Sequence, residues 1–446
     1  MEAINVLIYP LALIVTLGLL VTIHELGHFV IARWSGVKVL RFSVGFGRPI
    51  WTRLDKHGTE FVIARIPFGG YVRMLDDRDP ESVGEIRPGD KAYLSVSVWW
   101  RIAIALGGPL ANLLLAIVVY WCLFVAGATV YVPVVGEVLE GSPAYTAGLQ
   151  PGQEIIAVDG ATTRSWQQIG MGLLGRLGDS GSIQITARGP GELSTTDYLL
   201  PIENWHQGVD TPDLFGSLGL QVLIPAIVGT LMEDGPAAGS GLRLGDRITA
   251  VDGQPVTDFS GWALAIQAAP ERSIRLTVRR GDAERYIDVV PASREATDGS
   301  EVGYLGVRPP TQEVRYGPLA ALPRSVEEMI DKTSLTLNLL KKMVFGQVSL
   351  KNLSSPIMIA KVAGDSARSG WQSFFNILAL LSISLGVLNL LPIPILDGGH
   401  VAYCVMEIVT GKPVSERVQA VGTQVGLFLV GSIFLLAIYN DLTRFF

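Results

Sequence analysis

Four stretches of this chain, residues 3–23, 102–136, 369–396 and 418–440, contain no aspartate, glutamate, lysine or arginine. A helix needs about 20 apolar residues to cross a bilayer, and each stretch is long enough. The hydrocarbon core offers no water to a backbone, so such runs survive there only as helices that satisfy their own polar groups. The expected fold class is therefore a multi-span α-helical membrane protein with four transmembrane helices. Composition agrees, since only 17% of the 446 residues are charged, against about 25% in soluble domains. The net charge is −6 and no basic tract is present, which argues against a nucleic-acid partner. The two cysteines, Cys122 and Cys404, lie near apolar runs and cannot build a disulfide framework.

The first run does not read as a cleavable signal peptide. It begins Met1-Glu2 without a basic head, and His24–His28 follow where a small-residue cleavage site would stand. Orientation is set by lysine and arginine near span ends. Arg33, Lys38, Arg41 and Arg48 follow the first run, Arg101 precedes the second, and Lys412 and Arg417 separate the third from the fourth. These loops should be cytoplasmic. Both termini, and the long segment between spans two and three, should lie on the other side.

That long segment repeats itself. "VVGEVLEGSPAYTAGLQPGQEIIAVDG" (134–160) aligns without a gap with "IVGTLMEDGPAAGSGLRLGDRITAVDG" (227–253), 93 residues later. Each copy shows a turn, a short helix stopped at Gly148 or Gly241, and an apolar strand ending in an Asp-Gly hairpin signal. Each also yields a later strand, "SLGLQV" (217–222) or "YLGVRP" (304–309). The copies resemble PDZ domains in the permuted arrangement of bacterial proteases. The resemblance implies a groove in each where a peptide adds as a strand, although domains acting only as steric bulk would read the same way.

Between spans one and two, "RPIWTRLDKHGTEFVIARIPFGGYV" (48–72) reads as a β-hairpin turning at His57-Gly58 and ending in Gly69-Gly70. Residues 317–346 place Leu322, Val326, Met329, Ile330, Leu337, Leu340 and Val344 at helical spacing. This amphipathic helix could lie on the membrane surface or pack on a PDZ copy. "NLSSPI" (352–357) reads as a turn before the last two spans.

"VTIHELGHFV" (21–30) is the most informative stretch. His24 and His28, four apart on a helix, share a face and can grip one ion, with Glu25 angled toward a water beside it. Zinc takes imidazole and carboxylate ligands and keeps an open position in catalytic sites. Unpaired ionisable groups are costly at membrane depth, which makes an accidental match improbable. The bland alternative is a histidine pair hydrogen-bonded within the bundle. A third ligand should come from another span. "LNLLPIPILDGGH" (388–400) offers Asp397, the first acid after a long uncharged run, beside a helix broken by Pro392 and Pro394. His24 and Asp397 both fall at the cytoplasmic end of inward-running spans, so they can meet. His400 is a second candidate ligand, more readily read as a supporting residue. His57 and His206 lie in polar segments without an assigned role.

HELGH (24–28), LDGG (396–399), "GGPLANLLLA" (107–116), "FSVGFG" (42–47), four spans and PDZ copies inserted between spans two and three together resemble the site-2 protease family of intramembrane metalloproteases. The resemblance runs from about residue 5 to the C-terminus. It implies a first transmembrane helix with HELGH in 1–32, a cytoplasmic-side loop with a re-entrant β-hairpin in 33–97, and a second transmembrane helix in 98–130. PDZ domains would follow in 131–222 and 223–310, an amphipathic helix and linker in 311–368, a third transmembrane helix with LDGG in 369–400, and a fourth in 417–441. It implies a Zn2+ enzyme of the bacterial inner membrane, with PDZ domains and termini periplasmic and the active site near the cytoplasmic side. His24, His28 and Asp397 would hold the metal and Glu25 would be the catalytic base. Asn112, Asn389, Gly69 and Gly70 would meet the unwound substrate, unless the two asparagines only tie helices together. Substrates would be single-span proteins, an anti-sigma factor already trimmed by a first protease or signal-peptide remnants, in envelope stress signalling.

Two other classes remain. A catalytically inactive scaffold binding peptides through its PDZ domains could discard Glu25, which is present. A metal transporter would need further intramembrane acids or histidines, which the spans lack.

Overall fold

The computed structural model describes residues 2–445 apart from 77–89, 223, 234, 282, 296–299 and 353–354. It divides into two compact units. One comprises Met1–Gly127, Arg315–Met343 and Leu350–Phe446, the other Ala128–Val314 and Val344–Ser349.

In the first unit, helix α1 (Glu2–Ser35) carries the first apolar run and the HELGH stretch without a break. The chain turns at Gly36, with a positive φ of 83°, into β1 (Val39–Leu54) and β2 (Glu60–Met74), an antiparallel pair. The turn falls where expected. Asp55 holds it by accepting from the backbone N–H groups of His57 and Thr59, and it pairs with Arg33 of α1. The hairpin is longer than 48–72, and Phe42 has two partners, Val72 and Phe61. The first half of β1 thus lies between the two halves of β2. Phe29, Phe42 and Phe61 pack with ring centroids 5.4–5.5 Å apart, which pins this sheet to α1 immediately after His28.

Helix α2 (Val98–Ala126) crosses α1 at backbone contact, because a Cβ on Gly27 would lie 2.1 Å from the Gly107 carbonyl oxygen. Small residues allow such close crossings between apolar helices. Helix α3 (Pro318–Val344) is the amphipathic element. Its Met329 and Leu340 pack on a core that includes Leu20, Tyr120 and Ile383, whereas Leu322, Ile330 and Leu337 stay exposed. Helix α4 (Pro356–Ser369) starts from a Ser355 cap, so the end of NLSSPI opens a helix; residues 353–354 of that motif lie outside the described residues. Helices α5 (Trp371–Asn389), α6 (Asp397–Thr410) and α7 (Glu416–Phe445) follow. Among the described residues, four helices are long and apolar enough to cross a membrane: α1, α2, α5 and α7.

One boundary differs from expectation. LDGG does not close the third span; α5 ends at Asn389, and Asp397 opens the separate helix α6. Pro392 and Pro394 interrupt helical hydrogen bonding between them. The two glycines of LDGG fold back on this break: a Cβ on Gly398 would lie 2.3 Å from the Leu390 carbonyl oxygen, and one on Gly399 2.4 Å from that of Ile393.

In the second unit the repeat yields two four-stranded sheets of identical strand order. One runs 161–162, 154–158, 181–188, 195–202 and the other 254–255, 247–251, 274–280, 283–289. Both Asp-Gly signals form turns with two positive φ angles, 48° and 80° at Asp159-Gly160 and 49° and 79° at Asp252-Gly253, as a tight hairpin requires. Each copy has its own core, Ile155, Ile169, Ile183 and Ile185 in the first and Ile248, Trp262, Leu276 and Val278 in the second. The expected strand at 217–222 is largely replaced by a 3-10 turn, Gly216–Leu218, followed by an isolated bridge between Leu220 and Val138. The left-handed Gly219, φ 78°, breaks it. Strand Ala128–Tyr131 pairs with Thr311–Val314, so the two ends of the insert meet within this unit, and the second apolar run yields a shorter helix than 102–136.

Candidate metal centre

His24 and His28 leave α1 on one face, and Asp397 enters from the first turn of α6. Their facing atoms form a small triangle: His24 Nε2 to Asp397 Oδ2 3.1 Å, His28 Nε2 to Asp397 Oδ2 3.5 Å, and Nε2 to Nε2 3.2 Å. Both histidines are buried.

Each imidazole is oriented from behind by α2. His28 Nδ1 lies 2.7 Å from the Ile104 carbonyl oxygen, which can only accept, so the proton sits on Nδ1 and the Nε2 lone pair faces the triangle. His24 Nδ1 lies 3.2 Å from Asn112 Nδ2, and Asn112 Oδ1 is buried without a partner. The two ends of an amide are alike in shape, and turning Asn112 over by 180° gives Oδ1 a partner: it then accepts from His24 Nδ1–H, and His24 also turns a lone pair inward. Three electron-rich atoms then converge, and Asp397 Oδ2 is buried with no hydrogen-bond donor. A cation resolves this arrangement. Tetrahedral zinc with ligand bonds of about 2.0–2.1 Å separates its ligand atoms by roughly 3.3 Å, which the observed 3.1–3.5 Å matches. Among the described residues these three form the group able to hold a metal.

Gly108 makes the room. A Cβ there would stand 2.3 Å from His28 Nε2 and 2.8 Å from His24 Nε2. Sequence reading assigned this glycine no role, although an adjacent glycine pair inside an apolar helix was a visible signal. The triangle opens into a cavity of about 770 Å3, also lined by Glu25, by Tyr71–Met74 of β2, and by Arg101, His400 and Glu407.

The four residues expected to touch substrate have other surroundings. Asn112 is fully buried, outside the cavity lining, and spends its amide on His24. Gly70 lets β2 rest on α1, since a Cβ would meet Val21 at 3.2 Å and Glu25 at 3.3 Å. Gly69, with a φ of 118°, lies under the Phe46 ring. Asn389 is half-buried at the end of α5, also outside the lining. The part of β2 that lines the cavity is the next stretch, 71–74, of which the hairpin expected from sequence took in 71–72 and left out Arg73 and Met74. His400 lines the cavity but stands outside the ligand triangle.

Residues 12–433 match peptidase family M50. The chain is 39% identical to the regulator of sigma-E protease of Escherichia coli over 442 residues, covering 97% of both proteins. It is 38% identical to the regulator of sigma E protease of Salmonella typhi, covering 97% of this chain and 98% of that protein. A Vibrio cholerae protein whose name designates a zinc metalloprotease is 40% identical, with coverage of 97% and 98%. A PDZ-domain structure from Listeria innocua is 21% identical and covers 21% of this chain and 97% of that one, but its TM-score of 0.17 carries no argument about the fold.

Proposed function

The chain belongs to peptidase family M50, and from that premise we propose that it cuts a peptide bond within the transmembrane segment of single-span membrane proteins. It is a zinc metalloprotease. The observation that carries the reading is the triangle of His24, His28 and Asp397 beside Glu25, within a unit whose long helices are apolar enough to span a membrane.

His24, His28 and Asp397 hold the zinc. Bound there, zinc supplies Lewis-acid polarisation of the scissile carbonyl and brings the pKa of water toward about 7. Glu25 takes a proton from the attacking water and delivers it to the leaving nitrogen. Ile104 and Asn112 keep both imidazoles in the ligating tautomer, as outer partners of metal-bound histidines commonly do. A helical substrate must unwind before its carbonyls are accessible. Residues 71–74 of β2 pair with β1 on one side and line the cavity on the other, and an extended substrate adds along that edge.

The two sheets of identical order support two PDZ domains, 131–222 and 223–310, placed on the periplasmic side by the distribution of Arg33, Lys38, Arg41 and Lys412. The inner membrane is the proposed site of action, with both termini periplasmic. Because relatives of E. coli and S. typhi are named regulators of sigma-E protease, the proposed substrate is an anti-sigma factor shortened by a first protease, the PDZ pair admitting only trimmed helices. Signal-peptide remnants are a second substrate class.

The test is cleavage of a tagged single-span substrate by wild type, Glu25→Gln and Asp397→Asn. Cleavage by wild type alone supports the proposal. Glu25→Gln cutting at the wild-type rate overturns the mechanism, and substrate left intact by all three favours a peptide-binding scaffold.

A further inference from the structure

Helix α6, which delivers Asp397, is not a continuation of α5; seven residues with two prolines separate them. The position of Asp397 against the histidines is therefore decided by where α6 docks. It docks on α2, through an ion pair: Arg101 Nη1 donates to Glu407 Oε2 at 3.0 Å and Nη2 to Oε1 at 2.5 Å. Side-chain exposure is only 11% for Arg101 and 21% for Glu407. A bidentate guanidinium–carboxylate fork fixes direction as well as distance.

The register on α2 gives this pair its meaning. Arg101, Ile104, Gly108 and Asn112 lie at spacings of three, four and four, within roughly 80° of the helix circumference. One face of α2 thus addresses both histidines: Ile104 meets His28, Asn112 meets His24, and Gly108 leaves space between them. Arg101 holds Glu407, ten residues along α6 from Asp397, about 15 Å down the helix axis. The Arg101 and Glu407 side chains also line the cavity that holds the triangle.

We propose that Arg101 and Glu407 are positioning residues that set the third metal ligand, by locking α6 to the face of α2 that orients the two histidines. This rests on the reading of His24, His28 and Asp397 as the zinc site.

The test uses the full-length protein in detergent, loaded with zinc or with cobalt as a spectroscopic substitute. Rates of zinc release to a chelator and cobalt visible spectra are compared for wild type, Asp397→Asn, Glu407→Gln and Glu407→Asp. Glu407→Gln removes the charge pair, while Glu407→Asp keeps it and draws the two helices together by one methylene. Both should release zinc roughly tenfold faster, the effect expected of a lost outer partner, with altered cobalt bands. A pair that served stability alone would lower Tm and leave both readouts unchanged in folded protein. If wild type binds zinc, Asp397→Asn does not, and both Glu407 variants stay within about twofold of wild type, this inference fails and the metal site stands. If wild type holds no zinc, both fail. Should Glu407→Gln not fold, Glu407→Asp decides alone.

Discussion

His28 and Ile104 are 76 positions apart, yet the imidazole Nδ1 lies 2.7 Å from the isoleucine carbonyl oxygen. The contact is made to a backbone that no side-chain substitution removes, and it commits His28 to one tautomer. The other histidine depends on a side chain, Asn112, and can be tested directly.

Asn112→Ala should weaken zinc binding by about 10–100-fold, the usual cost of losing an outer hydrogen-bond partner. Asn112→Asp keeps an oxygen for His24 Nδ1–H and should lose far less. Competition with a calibrated chelator measures both.

Gly108→Ala should abolish zinc binding, because its methyl would stand 2.3 Å from His28 Nε2. Gly18→Ala on α1, where a Cβ meets nothing within 4 Å, should bind zinc as wild type does. Metal content of the two purified variants gives the comparison.

Glu25→Gln separates binding from chemistry. Glu25 is not one of the three ligands, so zinc content should stay near wild type while kcat falls by about 10²–10⁴, the range for a lost general base. Stripping zinc from wild type should abolish cleavage, and added zinc should restore it. Asp397→Asn should not recover.

The second repeat carries a buried carboxylate with a sign that can be worked out. Burial of Asp246 pushes its carboxyl up, but Arg280 Nε and Nη2, each 2.7 Å from an oxygen, and the Arg243 N–H hold it below the usual range. A depressed carboxyl stabilises the fold above its unfolded value of about 3.9 and loses that contribution as pH falls through its folded value. Asp246→Asn should therefore lower the Tm of the second unit by about 5 °C at pH 7. The gap should close as pH is lowered below the ordinary carboxylate range, where wild type is itself protonated.

Much of the proposed site could be read in one dimension because its signals are local. His24, Glu25 and His28 share one helix, so helical period alone turns them together. Asp397 stood out because an acid after a long uncharged run needs a partner at that depth. The repeat was equally readable, since turn chemistry at Asp159-Gly160 and Asp252-Gly253 depends on neighbouring residues only. Roles that depend on approach were not. Asn112 suggested a contact for substrate and lies against His24 Nδ1; Gly69 and Gly70 suggested a substrate platform and stand at the clearance between β2, Phe46 and α1.

By itself the sequence determined the apolar runs, the residue types of the proposed site and the spacing of HELGH, all set by side-chain chemistry over a few turns of chain. Only tertiary structure decided that Asp397 starts a helix of its own, that Gly108 clears the ion-sized gap, and that one face of α2 meets both His24 and His28. These are matters of close packing between segments tens to hundreds of residues apart, where a single methyl group is too large, and no local period encodes which backbone will lie against which.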